Sequence, residues 1–382
     1  MRLKAIPEDF VVREAAGLRI RKQPAPYRVY MLEKTGWNTV DALVRIAKER
    51  RIPYDRFAYG GKKDRHAHTF QYVTIQAPVD LTHTTRGYSL KMLGFSSEPM
   101  GPSLITANHF EVTVRELTKA EESQLAPGAE RIKQSGVPNY FDDQRFGNLD
   151  RERGSIAEKM LTGRWEEALN LALTAIYPEE HKEAKERKRL LRERWGDWEA
   201  CREAAHTAFE QRCFDLLRQK PGAFREALAT VHKETANLWV ATYQSVLWNE
   251  VLRRLLTSRG WAAASLPGVA GPYLLQTPEA RLEGLVIPLP GRGMRFDDPE
   301  VSLLLEEVLR ERRLRPASLE AELLPGVSLK ASPRPALARP SSVWVDGPVP
   351  DDLYPGCNKA TLRFSLGRGS YATMLVKSLF AL

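Results

Sequence analysis

Cysteine is scarce in this chain: Cys201, Cys213 and Cys357 are the only three among 382 residues. An odd number without CxxC or Cys/His spacing excludes a disulfide framework and a structural zinc site. The seven histidines contain no HExxH grouping, and only His66 and His68 are spaced to share a strand face. A loop histidine in a basic segment is more often solvated or a hydrogen-bond donor, so no metal centre is expected. Long apolar runs are missing too. No window approaches the roughly 18 apolar residues that a membrane span needs, and Met1 to Phe10 carries no apolar stretch of a signal peptide. A soluble, cytoplasmic protein without membrane attachment is the expectation. Fixed-period repeats and low-complexity tracts are also absent. Acidic residues are in deficit: 57 Lys and Arg face 48 Asp and Glu, a formal charge of +9 with a pI near 9.4. That balance favours a polyanionic partner.

With 43% hydrophobic residues the chain can bury ordinary cores, and its length corresponds to roughly two domains. One stretch stands out, Ala58 to Gln71, AYGGKKDRHAHTFQ. It sets one carboxylate, Asp64, after Gly60 and Gly61 and among Lys62, Lys63 and Arg65. Cations within about 4 to 6 Å hold a carboxylate ionised, and paired glycines allow a sharp turn or a close approach to a ligand. An enzyme could present an anionic group to a polyanion in this way. A Gly-rich turn with solvated charges would have the same local sequence.

Around this stretch the hydrophobic pattern reads strand, strand, helix, strand. Phe10 and Val12 alternate, as do Val29 and Met31, and Val40, Leu43, Val44 and Ala47 fall at helical spacing behind a cap at Asn38 or Thr39. Phe70 to Ala77 reads as a strand, so Asp64 lies in a loop just ahead of one. Phe110, Val112 and Val114 mark a further strand, followed by a helix near 119–134. Then comes GVPNYFDDQRFG, residues 136–147, with Tyr140, Phe141 and Phe146 between amides and charges. Two accounts fit it. The aromatics pack in a buried corner while Asn139 and Gln144 satisfy backbone groups, or the segment stacks a base and reads its edge with an amide.

Composition shifts after Asp150. Residues 155–176 read as a helix, 181–194 as a basic helix with seven Lys and Arg, and 237–256 as a packing helix through Val240, Tyr243, Leu247 and Val251. The basic run reads first as a solvated face and second as a phosphate-contacting surface. Gly291 and Gly293 resemble a fragment of a phosphate loop but lack the GK[ST] that would give it weight. Seven prolines between 325 and 355 read as a linker with short extended pieces, and Leu362, Phe364 and Leu366 return to a strand before a helix at 371–380. The end of the chain is thus expected to complete the N-terminal sheet, with the helix-rich middle as an insertion.

Four blocks then carry a family resemblance: KAIPEDFVVRE at 4–14, GGKKDRHAHTFQ at 60–71, VPNYFDDQRFG at 137–147 and FSLGRGSYATMLV at 364–376. In this order they resemble the TruD-type tRNA pseudouridine synthases. The resemblance implies an α+β fold: a catalytic domain with a mixed, mainly antiparallel sheet, interrupted by a helix-rich α/β insertion, with RNA held between them. It implies boundaries at 1–154 and 339–382 for the catalytic domain and 155–338 for the insertion. It further implies conversion of uridine to pseudouridine in tRNA, with position 13 of certain tRNAs as the usual target, without cofactor or metal; a monomer is expected. Carried over residue by residue, Asp64 matches the catalytic aspartate, Lys4 its basic partner, and Asn139 and Phe141 the residues that hold the target base. Lys62, Lys63 and Arg65 are expected to meet backbone phosphates, contacts that position RNA more than they specify it. Two positions depart from the family pattern: Asp142 stands where glycine is usual, and Lys377 where arginine is more common. Two rival readings are an RNA-binding protein or chaperone of the same fold without the reaction, and a hydrolase pairing Asp64 with Asp142 or Asp143.

Overall fold

A computed structural model describes residues 1–178 and 180–381. The chain separates into two compact units, Met1–Val137 with Ala338–Leu382, and Pro138–Leu337. The first is built on a ten-stranded sheet. Its strands run in the spatial order Ser341–Pro350, Asn358–Leu366, Ile105–Leu117, Phe10–Ala16, His68–Ile75, Tyr27–Lys34, Tyr88–Ser96 and His83–Thr84, with Arg2–Leu3 and Phe57–Tyr59 attached off this path. Phe10–Ala16 and His68–Ile75 pair in parallel, while the other described pairs of this sheet are antiparallel. The sheet is therefore mixed and mainly antiparallel, and the C-terminal strand sits inside it.

Strand alternation sorts the side chains into two faces. Phe10, Val12, Val112, Val114, Leu362 and Phe364 join one apolar cluster with Leu125, Ala129 and Ile132 of the helix Lys119–Ser135 and Leu375 and Leu379 of the helix Ala372–Leu379. Tyr30, Leu32, Val73, Ile75 and Leu90 join a second with Ala42, Leu43, Ile46 and Ala47 of the helix Thr39–Arg50. The strand register puts both clusters on the same face. Between them this face is polar: Glu14, Lys34, Thr69 and Gln71 are all buried there.

Three expectations need adjusting. The Pro-rich stretch is more than a linker, because Ser341–Pro350 is a ten-residue edge strand on Asn358–Leu366; an edge tolerates Pro because its outer side has no ladder to break. The helix expected over 155–176 is two, Ile156–Leu161 and Trp165–Thr174, separated where Gly163 takes φ 72°. The compact units divide at 137/138, ahead of the composition shift after Asp150 and of the 154/155 boundary that the resemblance implies. The reason is that the segment after Pro138 takes distant partners. The side chain of Asn249 bonds both the amide and the carbonyl of Phe141, and Asp143 accepts from the Val269 amide and the Tyr273 hydroxyl. The second unit is helix-rich, centred on Lys233–Ser258, in which Val240, Tyr243, Leu247 and Val251 are buried as their spacing predicts. No described helix is long and apolar enough to cross a membrane.

The helices Lys119–Ser135 and Ala372–Leu379 approach closely at Gly128, where an added Cβ would lie 2.2 Å from the backbone oxygen of Leu379. Helix propensity alone favours Ala over Gly by about 1 kcal/mol; a backbone clash of this kind costs typically 1–3 kcal/mol. Gly128→Ala is accordingly expected to lower stability, seen as a lower urea midpoint with unchanged slope.

Candidate active site

The chain leaves the sheet and re-enters it around the site. Arg2–Leu3 pairs with Val114 and Arg115, and Phe10 returns to the same neighbouring strand opposite Val112. The excursion starts at Lys4, whose φ of 55° lies in the left-handed region. For a residue with a Cβ that conformation costs on the order of 1 kcal/mol, so the surrounding structure must hold it. The turn Pro7–Asp9 closes the excursion, and Asp9 is tied to the buried Arg115 at 2.8 Å.

Lys4 Nζ lies 2.5 Å from Asp64 Oδ2 and 4.3 Å from the centre of the Phe10 ring. The other carboxylate oxygen, Oδ1, accepts the His66 amide at 2.9 Å. Only 17% of the Asp64 side chain is exposed. Burial pushes its pKa up, but the Lys4 ammonium and the His66 amide more than offset this, and the net shift is below the usual carboxylate range. The residue is an ionised carboxylate at neutral pH, drawn out of water and still reachable from it.

The loop beneath Asp64 is fixed by buried polar groups. Thr39 Oγ1 accepts the Lys63 amide at 3.0 Å and donates to Gln71 Oε1 at 2.7 Å, while Gln71 Nε2 donates to the Gly61 carbonyl at 3.1 Å. Lys34 Nζ donates to the Asp64 carbonyl at 2.9 Å and to the Lys63 carbonyl at 3.3 Å. Burial draws the pKa of Lys34 down to about 8 against the opposing pull of Asp64.

Of the cations expected to face phosphate, Lys62 and Arg65 are exposed, Arg65 donating to the Gly36 carbonyl. Lys63 is placed differently: its ammonium turns inward to Glu14 Oε2 at 2.7 Å and Asn108 Oδ1 at 2.6 Å, and the Glu14 side chain is fully buried. Asn139 and Phe141 lie in the second unit and are packed. Asn139 Oδ1 accepts from Arg334 and its amide donates to the Pro335 carbonyl. The Phe141 ring is 5.6 Å edge-on from Trp248 and has Arg334 over it at 3.8 Å. Tyr140, Phe141 and Phe146 are buried and Asn139 bonds a backbone carbonyl as in the first of the two accounts, while Gln144 is exposed. Asp142 takes φ −83° and ψ 166°, an extended conformation that needs no glycine. Lys377 sits in the last turn of the C-terminal helix.

Lys34, Glu14, Gln71 and Arg334 were not singled out by the sequence, and Thr39 only as a candidate helix cap. For Lys34 a signal exists: Tyr30, Leu32 and Lys34 share one parity along their strand, so a lysine stands in the apolar register. Among the described residues no group of three or more His, Cys, Asp or Glu could hold a metal ion.

Sheet and site together define an α+β protein with a partly exposed, cation-held carboxylate beside the polar strip of a mixed sheet. The model of the family tRNA pseudouridine synthase D (TruD) matches residues 1–268 and 279–379. The tRNA pseudouridine synthase D of Leptospira interrogans is 30% identical over 99% of this chain and 95% of its own length; that of Aquifex aeolicus is 28% identical over 100% and 98%. A solved structure from Methanosarcina mazei, named for the same enzyme, superposes with a TM-score of 0.73 at 24% identity, covering 99% of this chain and 93% of its own. At that identity the structural match speaks for the fold. The chain belongs to the TruD family of tRNA pseudouridine synthases.

Removing the cation tests the electrostatics. In Lys4→Met the burial of Asp64 persists while its largest opposing partner is gone, so the Asp64 pKa is expected to rise relative to the wild type. The ion pair holds above the Asp64 pKa and is lost as pH falls through it, so the acid limb of any Asp64-dependent activity should move to higher pH. Carboxyl ¹³C NMR titration of both proteins reads the shift.

Proposed function

We propose that this protein isomerises a uridine of tRNA to pseudouridine, with Asp64 as the catalytic group, Lys4 as the cation that keeps it ionised, and the usual family target, position 13, as the site modified. The observation that carries the reading is the Lys4–Asp64 pair, 2.5 Å long, at residues sixty apart in sequence. In the reaction the N1–C1′ bond breaks, the uracil turns over, C5 joins C1′, and the C5 proton is exchanged for one on N1, leaving the mass unchanged. A single ionised carboxylate can serve as nucleophile at the sugar or base, or as the base that removes a sugar proton.

The remaining assignments follow from the family. The unit Met1–Val137 with Ala338–Leu382 is the catalytic domain, and Pro138–Leu337 is the insertion that selects the tRNA. The family resemblance assigns Asn139 and Phe141 to the target base; here both are buried, Asn139 bonded to Arg334 and Pro335 and Phe141 packed against Trp248 and Arg334, so base contact requires this corner to open. Flipping the uridine out costs a few kcal/mol, and an aromatic contact offsets about 1 to 3 kcal/mol of it. Exposed Lys62 and Arg65 meet phosphates, whereas Lys63, engaged with Glu14, supports the loop. The hydrolase reading is weakened because Asp143 is already committed to Val269 and Tyr273.

Asp64→Ala is expected to abolish pseudouridine formation and leave tRNA affinity within a few-fold of wild type; activity that survives the change would end the assignment. Filter binding across a salt series should show log affinity falling linearly with log salt. Reversing Lys62 and Arg65 to Glu together should flatten that slope, and an unchanged slope would remove these two from the phosphate contacts.

A further inference from the structure

Lys34 has no place in the proposed chemistry, yet its setting is unusual. It ends the strand Tyr27–Lys34 with its side chain on the core face, opposite Thr69 and Tyr88. Its relative exposure is 1%, about that of the apolar residues beside it, Leu32 at 0% and Tyr88 at 3%. A buried ammonium normally needs a carboxylate partner. Among the described residues its hydrogen bonds go to two backbone carbonyls, those of Lys63 and Asp64, and it takes part in no described ion pair. A methionine of similar length would fill the same space without any desolvation cost.

What the ammonium adds is directional. The Asp64 carbonyl hangs on the Cα that bears the catalytic carboxylate, so anchoring that peptide unit limits the rotation of the whole residue. The other loop groups already have anchors: the Lys63 amide on Thr39, the Gly61 carbonyl on Gln71, and the Lys63 ammonium on Glu14 and Asn108. The peptide unit of Asp64 itself depends on Lys34. Lys4 pulls the carboxylate from one side and Lys34 holds the backbone from the other, so Asp64 is oriented from both ends.

We propose that Lys34 is a positioning residue for the isomerisation: sealed beneath the loop, it fixes the carbonyls of Lys63 and Asp64 and thereby sets the direction of the Asp64 carboxylate. This rests on the reading of Asp64 as the catalytic group. The charged groups that act on Lys34 are Asp64 and Lys63, and its lowered pKa agrees with an ammonium retained in a closed site against the cost of burial.

The test uses the full chain, a tRNA substrate and three variants. In Lys34→Met, kcat per folded molecule should fall about 10- to 100-fold, the range expected when a catalytic group is misplaced by about 1 Å. KM for tRNA should stay within about twofold; the desolvation cost that methionine removes opposes the cost of leaving the two carbonyls without a donor, so melting temperature is measured separately and kcat is counted per folded molecule. Lys34→Gln, which keeps N–H donors, should recover part of the loss; it also carries the comparison if Lys34→Met does not fold. The inference is overturned if kcat per folded molecule is unchanged in these variants, with any deficit confined to melting temperature or to KM. Asp64→Ala separates the two readings. If it is active, the assignment of Asp64 itself falls. If it is inactive while Lys34→Met turns over like the wild type, only the role of Lys34 falls.

Discussion

A carboxylate taken largely out of water keeps its charge only if donors replace the water it loses, and that constraint organises the centre of the first unit. Asp64 has 17% of its side chain exposed and still lies below the usual carboxylate range. Two donors make this possible, the Lys4 ammonium and the His66 amide. Each has its own structural consequence. The amide comes from the tight turn after the paired glycines. The ammonium comes from the far N-terminus, which must leave the sheet at a strained residue and be brought back by the Asp9–Arg115 pair.

The same constraint explains why the sheet has two apolar clusters on one face. A polar strip of Glu14, Lys34, Thr69 and Gln71 runs between the packing of the helix Thr39–Arg50 and that of the helices Lys119–Ser135 and Ala372–Leu379. Burying such groups is unfavourable unless they are bonded, and Glu14, Lys34 and Gln71 are spent on the loop or on its immediate neighbours. The loop is therefore held by strands, which position groups more tightly than other loops would.

Much of this was legible in the sequence. The alternations at Phe10–Val12, Phe110–Val114 and Leu362–Leu366 mark the central strands because one face of each is buried. The cluster around Asp64 marks a special loop because one anion among cations at a glycine pair is locally odd. What was not legible depends on distant register. Nothing near Lys63 says that its ammonium turns to Glu14, and Lys34 reads as the polar end of a strand until its parity is compared with Tyr30 and Leu32. The break at 137/138 is hidden for the same reason, since Phe141 and Asp143 find partners at Asn249 and Tyr273. The pairing of Lys4 with Asp64 came from the family resemblance and not from any local pattern.

The central claim is that this site performs an isomerisation on a single nucleotide of tRNA. The most direct measurement maps the product: tRNA incubated with the protein is treated with a reagent that blocks reverse transcription at pseudouridine, and the same RNA is weighed by mass spectrometry. The account predicts one strong stop at one uridine, unchanged RNA mass and no free uracil. A mass loss of one uracil with an abasic site, or the absence of any stop, would contradict it.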